Sequence, residues 1–219
     1  MAEMRAVVQQ DSYSPQAENQ FVGVRANPRG EIVTPDWFTQ LVLDGRVYNI
    51  SSSVQEAGDL LGETGPGSNN INPSILVDVP SGTTIIPLEL TVMPEGTGTT
   101  GDWPIVRMST DDGTRYSSGG ASITPLNMRK DDPNTSSTSA YQGGTQIVAS
   151  SNTDDDTIWY GSVDTSIRVN QPLYWSAKNN LAPCLIGPAA LLVFVQVNNV
   201  DEEVLWSLKW AEFSTSDIT

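Results

Sequence analysis

The sequence predicts an all-β chain, a two-sheet antiparallel sandwich of jelly-roll type with about eight to ten strands. The clearest signal is residues 75–92. Ile75, Val77 and Val79 recur at every second position, and so do Ile86, Leu88, Leu90 and Val92, interleaved with Pro87, Glu89 and Thr91. A period of two marks a strand with one buried face. Pro80, Ser81 and Gly82 separate the runs with a fixed φ and a permissive glycine, which is turn chemistry. The second signal is the last run, where Val204, Trp206, Leu208 and Trp210 alternate with Ser207 and Lys209. The third is the number of short apolar runs between turn residues, with 18 Gly and 14 Pro in 219 residues. Two half-buried antiparallel strands are not stable alone and need a facing sheet, which the remaining runs supply.

This length fits one large β domain or two small ones, and buries a proper core either way. The organisation expected is an extended polar arm at residues 1–20 followed by a single sandwich over residues 21–219. Eleven basic and 26 acidic residues leave a net charge of −15. Such a surface repels phosphate backbones and anionic membranes, so neither nucleic acid nor membrane is an expected partner. Cys184 is the single cysteine, which excludes an intrachain disulfide and fits assembly in a reducing cytoplasm. Its apolar neighbours Leu181, Ala182, Pro183, Leu185 and Ile186 suggest a buried filler rather than a reactive thiol. The first ten residues lack the features of a signal peptide, and the longest apolar run, residues 189–195, is too short to span a bilayer. A soluble protein is expected.

Taken in order, the first element is a helix over residues 34–45. Thr34 is the expected N-cap, Pro35 the first helical residue, Asp36 a first-turn acid and Gly45 the residue past the end, with Trp37, Leu41 and Phe38 toward the core. The competing reading is a hairpin turning at Asp44-Gly45 into a strand over residues 46–50. Residues 57–73 read as a Gly-rich connector, because no Gly-Lys-Ser/Thr ending and no helix pattern follow. After the run ending at Val92 come a flexible turn at 94–101, a strand over 103–108, a turn at 111–113 and a strand start at 114–116. Residues 117–140 are poor in apolar side chains and read as an exposed loop that contacts a partner. Short strands follow at 145–149, 157–160, 166–169, 173–176 and 191–197. Residues 198–203 then join the last two strands as a hairpin. No fixed-period repeat is present, which disfavours solenoids and propellers.

The chain contains no histidine, which removes Ser-His-Asp and Cys-His nucleophiles, His-ligated zinc and the commonest general base. Asp111-Asp112, Asp131-Asp132 and Asp154-Asp155-Asp156 fall in loops, where calcium ligands are found, but none has EF-hand spacing and solvated turns are the default. No paired-carboxylate motif for glycoside hydrolysis is visible. Trp206 and Trp210 share the core face of one strand. Trp103 and Trp159 border loops and could stack on sugar rings, although core or interface packing is the commoner use. Asn49 and Asn134 match the glycosylation pattern by coincidence. No catalytic, metal-binding or cofactor-binding residue is assigned, no cofactor is expected, and the chain is not read as an enzyme.

Several features together resemble a known class. They are the polar arm, the Val79-to-Thr83 turn between strands, the stretch from Gly187 to Val195, and a Trp-rich terminal strand closing in Trp210, Ala211, Glu212 and Phe213. In these the chain is similar to jelly-roll structural proteins of tailed-bacteriophage virions, of the type that decorate or cement the capsid. The resemblance covers about the last two thirds of the chain and carries over no functional residue. It implies a non-catalytic protein on the capsid surface, assembled in the host cytoplasm. Its partners would be the major capsid protein and further copies of itself, as a trimer in preference to a dimer. The alternative is a glycan- or receptor-binding head of a fibre or tail, assisted by calcium. A shell-forming subunit fits less well, because such arms are basic and residues 1–20 hold only Arg5.

Overall fold

The computed structural model describes residues 36–52, 63–64, 73–95, 105–142, 146–147, 156–162, 172–197 and 203–218. The expected arm at 1–20, the strand at 166–169, Trp103 and most of the Gly-rich connector lie outside them. One helix, α1 (Trp37–Leu43), precedes the strands β1 (Val47–Ser51), β2 (Glu63–Thr64), β3 (Ile75–Val79), β4 (Thr83–Glu95) and β5 (Ile105–Asp111). An excursion carries β6 (Tyr116–Ser118), β7 (Ala121–Ile123), β8 (Leu126–Asn127), β9 (Ser139–Gln142) and β10 (Gln146–Ile147). Then come β11 (Asp156–Ser162), β12 (Leu173–Ser176), β13 (Leu185–Ile186), β14 (Ala189–Val197) and β15 (Glu203–Ser214), closed by a 3-10 turn at Thr215–Asp217.

Two antiparallel sheets face each other. One has the order β12-β4-β15-β1-β8, the other β11-β5-β14-β3-β9-β7. Eight strands do the wrapping: β1, β3, β4, β5, β11, β12, β14 and β15. The first pairs with the last, the second with the seventh, the third with the sixth and the fourth with the fifth. The pairs β4–β15 and β5–β14 join these ribbons into sheets. A double-stranded ribbon rolled up in this way is a jelly roll.

This order corrects the expected antiparallel pair β3 and β4 and the expected hairpin of β14 and β15. Val79 and Thr83 flank a tight turn, with the Thr83 N–H donating to the Pro80 carbonyl at 3.2 Å and Gly82 at φ +84°. Yet β3 and β4 lie in opposite sheets, so the turn is a corner and not a hairpin. The same holds for β14 and β15, whose connection over 198–202 is outside the described residues.

The inner faces meet in one core. Tyr48, Ile50, Leu90, Val92, Trp175, Trp206, Leu208 and Trp210 come from one sheet, and Ile75, Val77, Val106, Met108, Leu191, Val193 and Val195 from the other. Trp206 and Trp210 are core, as their alternation predicts. The alternation in β4 does not run straight through. Glu89 pairs with Lys209 but Pro87 pairs with Trp210, so Leu88 is an extra residue in a bulge. Past the bulge the faces switch. Leu90 and Val92 point into the sandwich, whereas Leu88 and Ile86 pack on the outer face with Val47, Ala211 and Phe213.

Helix α1 covers that outer face with Phe38, Leu41 and Val42. Its N-cap is Asp36 and not Thr34, with Oδ1 accepting from the N–H groups of Phe38 at 3.0 Å and Thr39 at 3.2 Å. Trp37, expected to face the core, is half-exposed, because the helix lies on one sheet and turns only its Phe38 side inward. Gly45 at φ +67° ends the helix as expected, and β1 follows at once.

Candidate functional site

An open cleft of about 550 Å³ lies where the end of β5 meets β11 and β13. The end of β5 supplies Thr110 and Asp111, and the turn after it Asp112. The start of β11 supplies Asp156, and the segment through β13 into β14 supplies Cys184, Leu185, Ile186 and Ala189. Strand closure brings them together: β5 pairs with β11 on one side and with β14 on the other.

The carboxylates are not equivalent. Asp111 is buried and ion-paired to Arg115, whose guanidinium also lies 3.6 Å from the exposed Asp112. The hydrogen bond to Asp111 raises the Arg115 pKa above its ordinary value. The Arg115 main chain is fixed separately. Its N–H donates to Asp78 Oδ1 at 2.8 Å, and that of Tyr116 donates to Asp78 Oδ2 at 3.1 Å. Burial pushes the Asp78 carboxyl up, with these two bonds opposing the shift. Cys184, expected as buried filler, is exposed at the cleft. It sits in an irregular stretch in which Leu185 turns to the core and Leu181 is almost wholly in solvent. The cleft is lined by Asp111, already paired to Arg115, by the exposed carboxylates of Asp112 and Asp156, and by the Cys184 thiol. Among the described residues, no group of three or more His, Cys, Asp or Glu is placed to hold a metal ion.

The pair Asp131-Asp132 is engaged within its own turn. Asp131 accepts from Arg129 Nε at 2.9 Å, and Asp132 Oδ1 accepts from the Asn134 N–H at 2.8 Å. Asp154 and Asp155 lie outside the described residues. Trp159, considered as a sugar platform, is partly buried and packed against the core, with its indole lying across Gly161.

Residues 117–140 are not a free loop. The excursion extends both sheets, β8 beside β1 and β9 with β7 beside β3. Polar clamps hold it. Glu212 accepts from Ser136 Oγ at 2.7 Å and from the Ser137 N–H at 2.6 Å. Asn127 Nδ2 donates to the Gly45 carbonyl at 2.8 Å, and Arg129 to that of Leu43 at 2.9 Å. Tyr116 stacks on Tyr141 with ring centroids 3.5 Å apart, covering an outer cluster of Leu76, Ala190, Leu192 and Phe194. Low apolar content concealed this docking, because hydrogen bonds carry much of it beside a few scattered apolar anchors, Ile123, Met128 and Ala140.

No protein-family model, no curated protein and no solved structure matches the chain.

Proposed function

We propose that the protein is a non-enzymatic structural component of a virion, decorating or cementing a phage capsid through contacts with the shell and with its own copies. The observation that carries this reading is the strand order. Eight strands rolled as a paired ribbon form the double-sheet jelly roll, an architecture of viral capsid domains and of lectins. The acidic, histidine-free composition supports a role in interfaces rather than in acid–base chemistry. Between capsid and lectin use, the packing of Trp159 favours the former, since a sugar platform needs its ring in solvent.

The test is addition of purified protein to shells of the cognate major capsid protein. Saturable co-sedimentation, unchanged by EDTA, is expected. Failure to bind the shells overturns the reading. The second reading, a ligand-binding head, is favoured by the acidic cleft, and calcium-dependent retention on immobilised glycans would establish it instead.

A further inference from the structure

Among the described residues the excursion extends the sandwich on one lateral side, the closed side, and leaves the other open. On the closed side the excursion adds β8 outside β1, and β9 and β7 outside β3. On the other side the outermost strands are β12 and β11, and among the described residues neither has a strand beyond it. Edges are normally blunted with Lys, Pro or an inward charge. After Asp156 at its first position, residues 157–162 of β11, Thr-Ile-Trp-Tyr-Gly-Ser, contain none of these, and Thr157 to Tyr160 favour extended backbone. A bulge at Ile158 is confined to the start of the strand, and residues 159–162 pair regularly with β5. Tyr160 is 63% exposed, and Ile105, opposite Ser162 on the same outer face, is 40% exposed.

Charge selects the occupant. Two chains of net charge −15 repel wherever their acidic surfaces meet, so they approach best along an uncharged strip. An antiparallel edge is also self-complementary, because a twofold axis lays the strand on its own copy and repeats every contact. We infer that β11 is a self-association edge, where a second copy of this chain pairs antiparallel and continues the sheet across a twofold axis. The inference rests on the self-association in the function proposed above and names its surface. It replaces the trimer favoured on sequence with a dimer.

The experiment is native mass by light scattering at two concentrations, on the full chain and on variants. Tyr160→Lys sets like charges against each other across the axis. Leu126→Lys puts the same charge on β8, which is exposed on the closed side. The wild type and Leu126→Lys are expected to be dimers. Tyr160→Lys is expected to dissociate, its dissociation constant rising by about tenfold or more, with the far-UV circular dichroism of the folded chain retained. Should Tyr160→Lys fail to fold, Ile105→Lys probes the same junction from the adjacent strand. A monomeric or trimeric wild type, a Tyr160→Lys dimer, or equal dissociation by both variants overturns the inference. Shell addition is read separately, so a monomer that still coats shells removes the edge pairing alone.

Discussion

Asp78 is the first anchor of the excursion, and its removal should loosen the chain from Asp112 to Tyr116. Its two carboxylate oxygens accept the N–H groups of Arg115 and Tyr116 at 2.8 and 3.1 Å. Asp78→Ala leaves both donors without an acceptor in a partly buried place, at about 1–3 kcal/mol each before water enters. Relief of a half-buried charge and hydration of the donors offset part of this, so a net loss of about 2 kcal/mol is expected. Asp78→Asn keeps one acceptor and should lose about half as much. The pH dependence has a definite sign. Burial raises the Asp78 pKa in the folded state, so the native chain holds this proton more tightly than the unfolded chain. The stability Asp78 contributes is therefore fully present below the ordinary carboxylate pKa and is lost as pH rises through the raised value. Urea denaturation of wild type and Asp78→Asn across about pH 3.5–7 measures the difference, and charges elsewhere cancel in it. The gap should narrow as pH rises. A gap that widens with pH, or an Asp78→Ala protein as stable as wild type, would refute the argument.

Other positions give equally direct expectations. A Cβ on Gly187 collides with the Pro80 carbonyl and comes within 2.8 Å of that of Val79, both of them backbone that cannot step aside. Gly187→Ala should therefore lower stability by about 1–3 kcal/mol in a thermal melt, and an unchanged melting temperature would show that the corner can move. Trp210→Ala empties the centre of the core and should cost about 3–5 kcal/mol, whereas Trp37→Ala on the half-exposed helix face should stay within about 0.5 kcal/mol. Equal losses in chemical denaturation would contradict the burial assigned to the two indoles. Cys184 is exposed, so one thiol per chain should react with an aromatic disulfide reagent without denaturant. Protection until unfolding would return it to the core.

Where one run keeps a single register, the side chains that face the core were legible, because that signal is local. Val204 to Trp210 and Ile75 to Val79 alternate within a few residues, and the alternating residues form the core, while Leu76, between Ile75 and Val77, is buried on the outer face. Which sheet a strand joins was not legible, because the deciding partners are distant in sequence. Pro80 to Gly82 has the chemistry of a tight turn whether the next strand returns beside β3 or crosses to the facing sheet. What settles it is that β4 pairs with Phe213 and Leu185, each a hundred residues or more downstream. The bulge at Leu88 did leave a trace. Pro87 sits inside a central strand, where it cannot donate to a ladder, and such a proline marks an irregularity. The cleft shows the same division. Asp111, Asp112 and Asp156 were legible as loop-end acids, but their convergence on Cys184 is made by the pairing of β5 with both β11 and β14. The excursion was misjudged for a different reason: Asp78, Asn127 and Glu212 hold it through polar contacts that leave no hydrophobic period. Its docking has a consequence for assembly. By spending its length on the β1 and β3 edges, the chain covers one side of the roll among the described residues and leaves β11, uncharged past Asp156 and aromatic, as the side on which another chain can continue the sheet.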